Sequence, residues 1–134
     1  MASFIADGYT EPFYVAAIPG IHEPLRGRFR RALGWENAEA RRTAAQLKPR
    51  EAEHHWAKFI KSKLIEWDLK TPDGKPVDLT EANLLRMNPT LNEALTAIVM
   101  SARASDADPE TVDPVDPTPA EDRERTDAGN LPPA

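Results

Sequence analysis

The sequence has no cysteine, which excludes disulfides and thiolate metal sites and leaves the redox compartment open. It has six glycines in 134 residues, and none of them builds a glycine-rich phosphate loop. No stretch approaches the roughly 20 apolar residues needed to span a bilayer. The N-terminus, Met1 to Asp7, lacks both the basic start and the apolar run of a secretory leader. A soluble intracellular protein is expected, with no membrane partner. No serine, histidine and carboxylate are spaced as a nucleophile and its base, and the pairs Glu66/Asp68 and Asp73/Asp78 fall in a turn-rich link with nothing to orient them. No enzyme is expected, and no cofactor.

Charge divides the chain. Residues 104–134 hold nine acidic and two basic side chains, a net of −7, whereas residues 1–103 net +2. Six of the thirteen prolines also fall beyond Arg103, and hydrophobic periodicity stops there. A disordered, self-repelling acidic tail over 104–134 follows, behind a folded domain at 1–103.

Two helix starts of one kind organise the folded part. Lys48-Pro49 and Asn88-Pro89 each place proline at the first helical position, where its missing N–H is no loss. After Pro49, Ala52, Trp56, Phe59, Ile60, Lys63, Leu64 and Trp67 recur at helical spacing, so a helix is expected over about 49–67, with Trp56 and Trp67 on one face. After Pro89, Leu91, Leu95, Ile98, Val99 and Ala102 mark a second helix at about 89–103. Between them lie a turn at Pro72-Asp73-Gly74-Lys75-Pro76 and a short helix at about 80–87, for which Thr80 is the expected N-cap.

Upstream, Glu11 to Ile18 is rich in strand formers and Pro19-Gly20 signals a turn. Leu25 to Leu33 alternates, with Leu25, Phe29 and Leu33 on one side and Arg26, Arg28 and Arg30 on the other. A β-hairpin over about 11–33 is expected, leaning on the helices because an isolated hairpin is marginal in water. From Trp35 to Leu47 the alanine-rich run predicts a helix with a thin apolar stripe through Ala38, Arg42 and Ala45, with Trp35 and Leu47 as its large groups. The expected fold class is mainly α (α+β), an N-terminal β-hairpin packed on a small helical bundle.

Several features invite chemistry. His54-His55 point about 100° apart on a helix and cannot chelate as an i, i+4 pair does. Glu51 and His55 have that spacing but make an incomplete site, so no metal is expected. The basic face of Arg26, Arg28 and Arg30 could track phosphates with Phe29 or Tyr14 stacking on bases, yet the folded part is only +2, so nucleic acid is not the expected partner. The apolar groups Trp56, Phe59, Trp67, Leu91 and Leu95 are the candidate partner-binding residues, with core packing as the competing reading of the tryptophans.

The run Leu47-Lys48-Pro49, Lys63-Leu64-Ile65-Glu66-Trp67-Asp68-Leu69, Asp73-Gly74-Lys75-Pro76-Val77, Leu79-Thr80 and Met87-Asn88-Pro89-Thr90-Leu91, closing on Ala97-Ile98-Val99, resembles the small tail assembly chaperones encoded among phage and prophage tail genes. The segments Tyr14 to Pro19 and Leu25 to Arg30 fit the same pattern, so the resemblance covers roughly residues 9 to 101. It implies a bacterial-cytoplasmic, non-enzymatic protein that binds the tape-measure protein and helps the major tail protein assemble around it. A homo-oligomer is compatible with it. A structural tail or neck component retained in the virion is the alternative expectation, and a nucleic-acid-binding accessory protein a further one.

Overall fold

The computed structural model describes residues 4–110. Its elements are β1 (Glu11–Val15), β2 (Leu25–Phe29), α1 (Gly34–Ala45), α2 (Pro49–Lys63), β3 (Leu64–Trp67), α3 (Glu81–Leu85) and α4 (Pro89–Val99). The fold is mainly helical α+β: the N-terminal hairpin is present, and it packs on a small helical bundle. Residues 111–134, most of the expected disordered tail, lie outside the described residues.

The hairpin forms where the strand formers and the turn signal put it. β1 pairs antiparallel with β2, from Glu11 opposite Phe29 to Val15 opposite Leu25. Gly20 adopts φ 81°, which a glycine accepts without steric cost, and the Ile21 N–H closes the turn onto the Ile18 carbonyl at 2.8 Å. Leu25 and Phe29 are fully buried. Leu33, expected on their side, is exposed, because the strand has ended and Leu33 has become the N-cap residue of α1.

The expected helix over 49–67 ends at Lys63. Leu64 turns to φ −86°, ψ 138°, and residues 64–67 become a third strand on the free side of β2, giving the order β1-β2-β3. Leu64, Ile65 and Trp67 suit a strand as well as a helix. What decides is the unpaired edge of β2: the Arg30 N–H donates to the Lys63 carbonyl at 2.7 Å, and the Asp68 N–H to the Arg26 carbonyl at 2.9 Å. Trp56 and Trp67 therefore share no helix face. Gly27 makes the third strand fit. A Cβ built on it would sit 2.2 Å from the Glu66 carbonyl oxygen and 2.7 Å from the Phe13 ring.

Both prolines sit at helix starts, as expected. Asn88 Oδ1 accepts from the N–H groups of Thr90 and Leu91 at 2.9 and 3.4 Å, and Thr80 Oγ1 accepts from the Asn83 N–H at 3.1 Å, each satisfying donors that a helix start leaves open. The helices are shorter than expected at their far ends, closing at Ala45, Leu85 and Val99. Leu91, Leu95, Ile98 and Val99 from α4, Ala57 and Ile60 from α2, and Leu84 and Met87 meet Phe13, Val15, Leu25 and Phe29 in one core. Each large side chain so buried contributes about 1.5–3 kcal/mol before conformational entropy is subtracted.

α1 does not pack through the expected stripe. Ala38, Arg42 and Ala45 are exposed, Trp35 is 65% exposed, and Ala40 is the buried residue instead. Polar tethers set its orientation: Lys63 Nζ donates to Glu36 Oε2 at 2.6 Å, Asn37 Nδ2 donates to the Met100 carbonyl at 3.0 Å, and His55 Nε2 lies 2.9 Å from the Ala40 carbonyl oxygen. Glu36 also accepts from the Leu33 N–H at 2.8 Å. Burial opposes its ionisation, but the Leu33 N–H and the Lys63 ammonium outweigh burial and hold the carboxyl below its ordinary range.

Packing also continues past Arg103, where the expected tail begins. Residues 104–110 turn back along β1, so this part of the tail is docked. The Asp106 N–H donates to the Tyr14 carbonyl at 2.9 Å, and Arg26 binds Asp108. Ser101 makes the reversal at φ 63°.

Candidate protein-docking groove

An apolar stripe on a helix normally disappears into the core; here part of two stripes does not. α2 and α4 contact each other over a short stretch, and α3 bridges one end of the space between them. The resulting groove encloses about 560 Å³ and is lined by Trp56, Ala57 and Ile60 from α2, Leu84, Leu85 and Met87 from α3 and its exit, and Pro89, Asn92, Thr96 and Ala97 from α4. Its charged lining residues are Glu53 and Glu93.

Trp56 forms one wall. It is half-buried, with its ring edge-on to Phe59 at 5.9 Å and to His55 at 5.4 Å. Phe59 packs against the core beside it, with Lys63 Nζ 5.9 Å from its ring centroid. Across the groove Leu85 is 38% exposed, while its neighbour Leu84 is buried at 1%. Adjacent leucines on one short helical turn face about 100° apart, so one goes inward and the other stays at the rim.

The five sequence-nominated apolar residues are not brought together. Trp56 lines the groove and Phe59 supports it from behind. Leu91 and Leu95 lie beneath the surface at 3% and 0% exposure, as core. Trp67 stands on β3, where its Nε1–H donates to the Val77 carbonyl at 2.7 Å and pins the 69–77 link against the sheet. Leu85 and Met87, read from the sequence as apolar contacts of the short helix, and Ala97 were not among the nominated partner-binding residues.

The basic face is likewise divided among separate duties. Arg26 stacks over the Tyr14 ring, 4.8 Å from its centroid, and binds Asp108 through Nε and Nη2 at 2.7 and 3.0 Å. Arg28 Nη2 donates to the Thr10 carbonyl and hydroxyl at 3.2 and 3.1 Å. Arg30 is exposed. Arg31, next to Arg30 in the chain, is buried: it donates to both Glu11 carboxylate oxygens at 2.9 and 2.8 Å and to Ser101 Oγ at 2.8 Å.

Among the described residues, no group of three or more histidine, aspartate or glutamate side chains could hold a metal ion. Glu51, which has helical spacing with His55, accepts from the Lys48 N–H at 3.1 Å. No described helix is long and apolar enough to cross a membrane. Comparisons of the chain with protein-family models, curated proteins and solved structures gave no match.

Proposed function

We propose that this chain is a non-enzymatic protein-binding factor that receives the apolar face of a partner helix in the α2–α3–α4 groove. The carrying observation is that Trp56, Leu85 and Ala97 leave apolar surface in a concave site between two helices. Helix-in-groove recognition needs that surface together with room for side chains at i, i+3, i+4 and i+7 of the guest. A half-buried tryptophan is the residue type that dominates such interfaces. The two glutamates of the groove favour a guest whose apolar stripe is flanked by lysine or arginine.

The resemblance in the sequence gives the reading its biological setting, that of a phage tail assembly chaperone. The guest is then the tape-measure protein, and the major tail protein is the product whose assembly is assisted. A tape measure is long and helical, and before the tube closes around it its apolar faces need cover. The engagement of Arg26 and Arg28 inside the chain argues for protein over nucleic acid as the partner.

A photo-crosslinker placed at Ala97, within the groove, tests this during tail assembly. Capture of the tape-measure protein, together with absence of this chain from finished particles by mass spectrometry, is the expected result. Stoichiometric presence in the particle would favour the structural tail or neck component instead, and crosslinks confined to other surfaces would remove the groove from the account.

A further inference from the structure

A second surface, away from the groove, already holds a peptide of known sequence. β1 is an edge strand, and alternate residues of an edge strand turn their N–H groups outward. In β1 the outward positions are Pro12, which has no N–H, and Tyr14; Ala16 follows in the same phase. Two backbone donors therefore face away from the sheet. Arg26, opposite Tyr14 in the β1–β2 register, sets its guanidinium beside them and stacks on the Tyr14 ring. The three donors form a row that asks for oxygen acceptors.

Residues 105–110 supply those acceptors, mostly from side chains. The Tyr14 N–H donates to Ser105 Oγ at 2.7 Å, the Ala16 N–H to Asp106 Oδ2 at 2.8 Å, and Arg26 to Asp108 at 2.7 and 3.0 Å, with Glu110 at 3.3 Å from Arg26. The Asp106 N–H also donates to the Tyr14 carbonyl, a backbone hydrogen bond along this edge. Ser105, Ala107, Pro109 and Glu110 are exposed, and the core cluster ends at Val99. The segment is thus held by charge and a few hydrogen bonds at the surface and contributes no apolar anchor, which makes it exchangeable with another chain of the same chemistry.

We propose that the β1 edge with Tyr14 and Arg26 is a docking site for an extended acidic segment of a partner protein, and that residues 105–110 close it in cis. The segment it takes presents oxygen-bearing side chains at i, i+1 and i+3, as Ser105, Asp106 and Asp108 do. Pro12 removes the next outward donor and limits the contact to this short length.

The test uses the full chain carrying Asp106→Lys with Asp108→Lys, which sets like charge against Arg26 and Arg103 and expels the cis segment. Amide hydrogen exchange reads the release, and a fluorescent peptide with the sequence of residues 104–110 is the probe. The Tyr14 and Ala16 amides should exchange faster, and the probe should bind roughly tenfold more tightly than to the unaltered chain, whose site is already occupied. Adding Arg26→Ala to that background should weaken the probe roughly tenfold, since a charge-assisted forked contact is lost. Unchanged amide protection, no probe binding, or binding indifferent to Arg26→Ala would each overturn the proposal. A dimer of the charge-reversed chain in native mass spectrometry without peptide would assign the edge to a second copy and overturn the assignment to a partner.

Discussion

Arg31 and Glu11 form a forked ion pair in which the arginine side chain is 7% exposed and the glutamate 13%. Glu11 opens β1, while Arg31 follows β2 and also reaches Ser101 at the exit of α4. The pair therefore ties the hairpin to the helical layer at the point where the chain turns back along the sheet. The guanidinium also lies over the Phe29 ring, 5.2 Å from its centroid, so the charge is sheltered on one side by the core itself.

Removing one partner leaves the other buried and unpaired. Arg31→Met should lower stability by about 3–5 kcal/mol, and Arg31→Met with Glu11→Leu should recover most of that, because apolar replacements of similar volume often match a buried pair. Urea denaturation of the two variants measures this. A single variant within about 1 kcal/mol of the parent would mean that water reaches the pair freely.

Gly27→Ala tests the third strand. The added carbon meets backbone on one side and the Phe13 ring on the other, and neither is the loose end of a flexible side chain. The expected cost is about 1–3 kcal/mol, with faster amide exchange at Arg30 and Asp68, whose N–H groups bond across the β2–β3 seam. Unaltered exchange at both would show that the seam relaxes to admit a methyl group.

The same seam explains which parts of the fold were legible in the sequence. Helix starts at Pro49 and Pro89, the Thr80 cap and the Pro19-Gly20 turn are local chemistry, and local chemistry is written in adjacent residues. The end of α2 is not local. Residues 64–67 continue a helical pattern, and only the vacant edge of β2, 35 or more residues earlier in the chain, converts them to a strand. The helix α1 forms where expected, but its buried face was misread for a related reason: three polar tethers to distant residues orient it, overriding a weak alanine stripe. In the groove, Trp56 was legible as a large aromatic on an apolar face. Leu91 and Leu95 were not separable from it, since periodicity marks the buried face of a helix without telling its floor from its rim.

Groove and core are separable by substitution. Leu85→Ser changes a rim residue and should alter stability by no more than about 0.5 kcal/mol, the usual range for surface positions, while weakening partner capture at least tenfold. Leu95→Ala empties a fully buried position and should cost about 2–5 kcal/mol. Thermal melts and partner pull-down on the same samples separate the two effects. A Leu85→Ser chain that is stable and still captures its partner would exclude the α3 rim from the contact.

Trp67→Phe separates a hydrogen bond from a ring. The substitution keeps most of the aromatic surface and deletes the Nε1–H that reaches the Val77 carbonyl. A loss of about 1 kcal/mol is expected, with increased proteolytic sensitivity between Leu69 and Val77. Equal stability and equal resistance would mean that the Lys70–Pro76 bridge and the Val77 N–H bond to the Leu69 carbonyl hold the link by themselves.

Acid should loosen the chain through two carboxylates, Asp106 and Glu36. The Ala16 N–H, against the opposing effect of burial and with help from Arg103, holds Asp106 below its ordinary value of 3.8; Glu36 is likewise held below 4.5. A carboxyl that is more acidic folded than unfolded binds fewer protons in the native state, so its contribution is complete above the ordinary value and is lost as pH falls through the lower, folded one. Melting temperature should therefore be flat through neutral pH and fall below about pH 4.5. Asp106→Asn and Glu36→Gln should each be less stable than the parent at pH 7, with the difference shrinking as pH drops past these values. A gap that stays constant down to pH 3 would mean that the substitutions act through shape, and that the charges on Asp106 and Glu36 stabilise nothing.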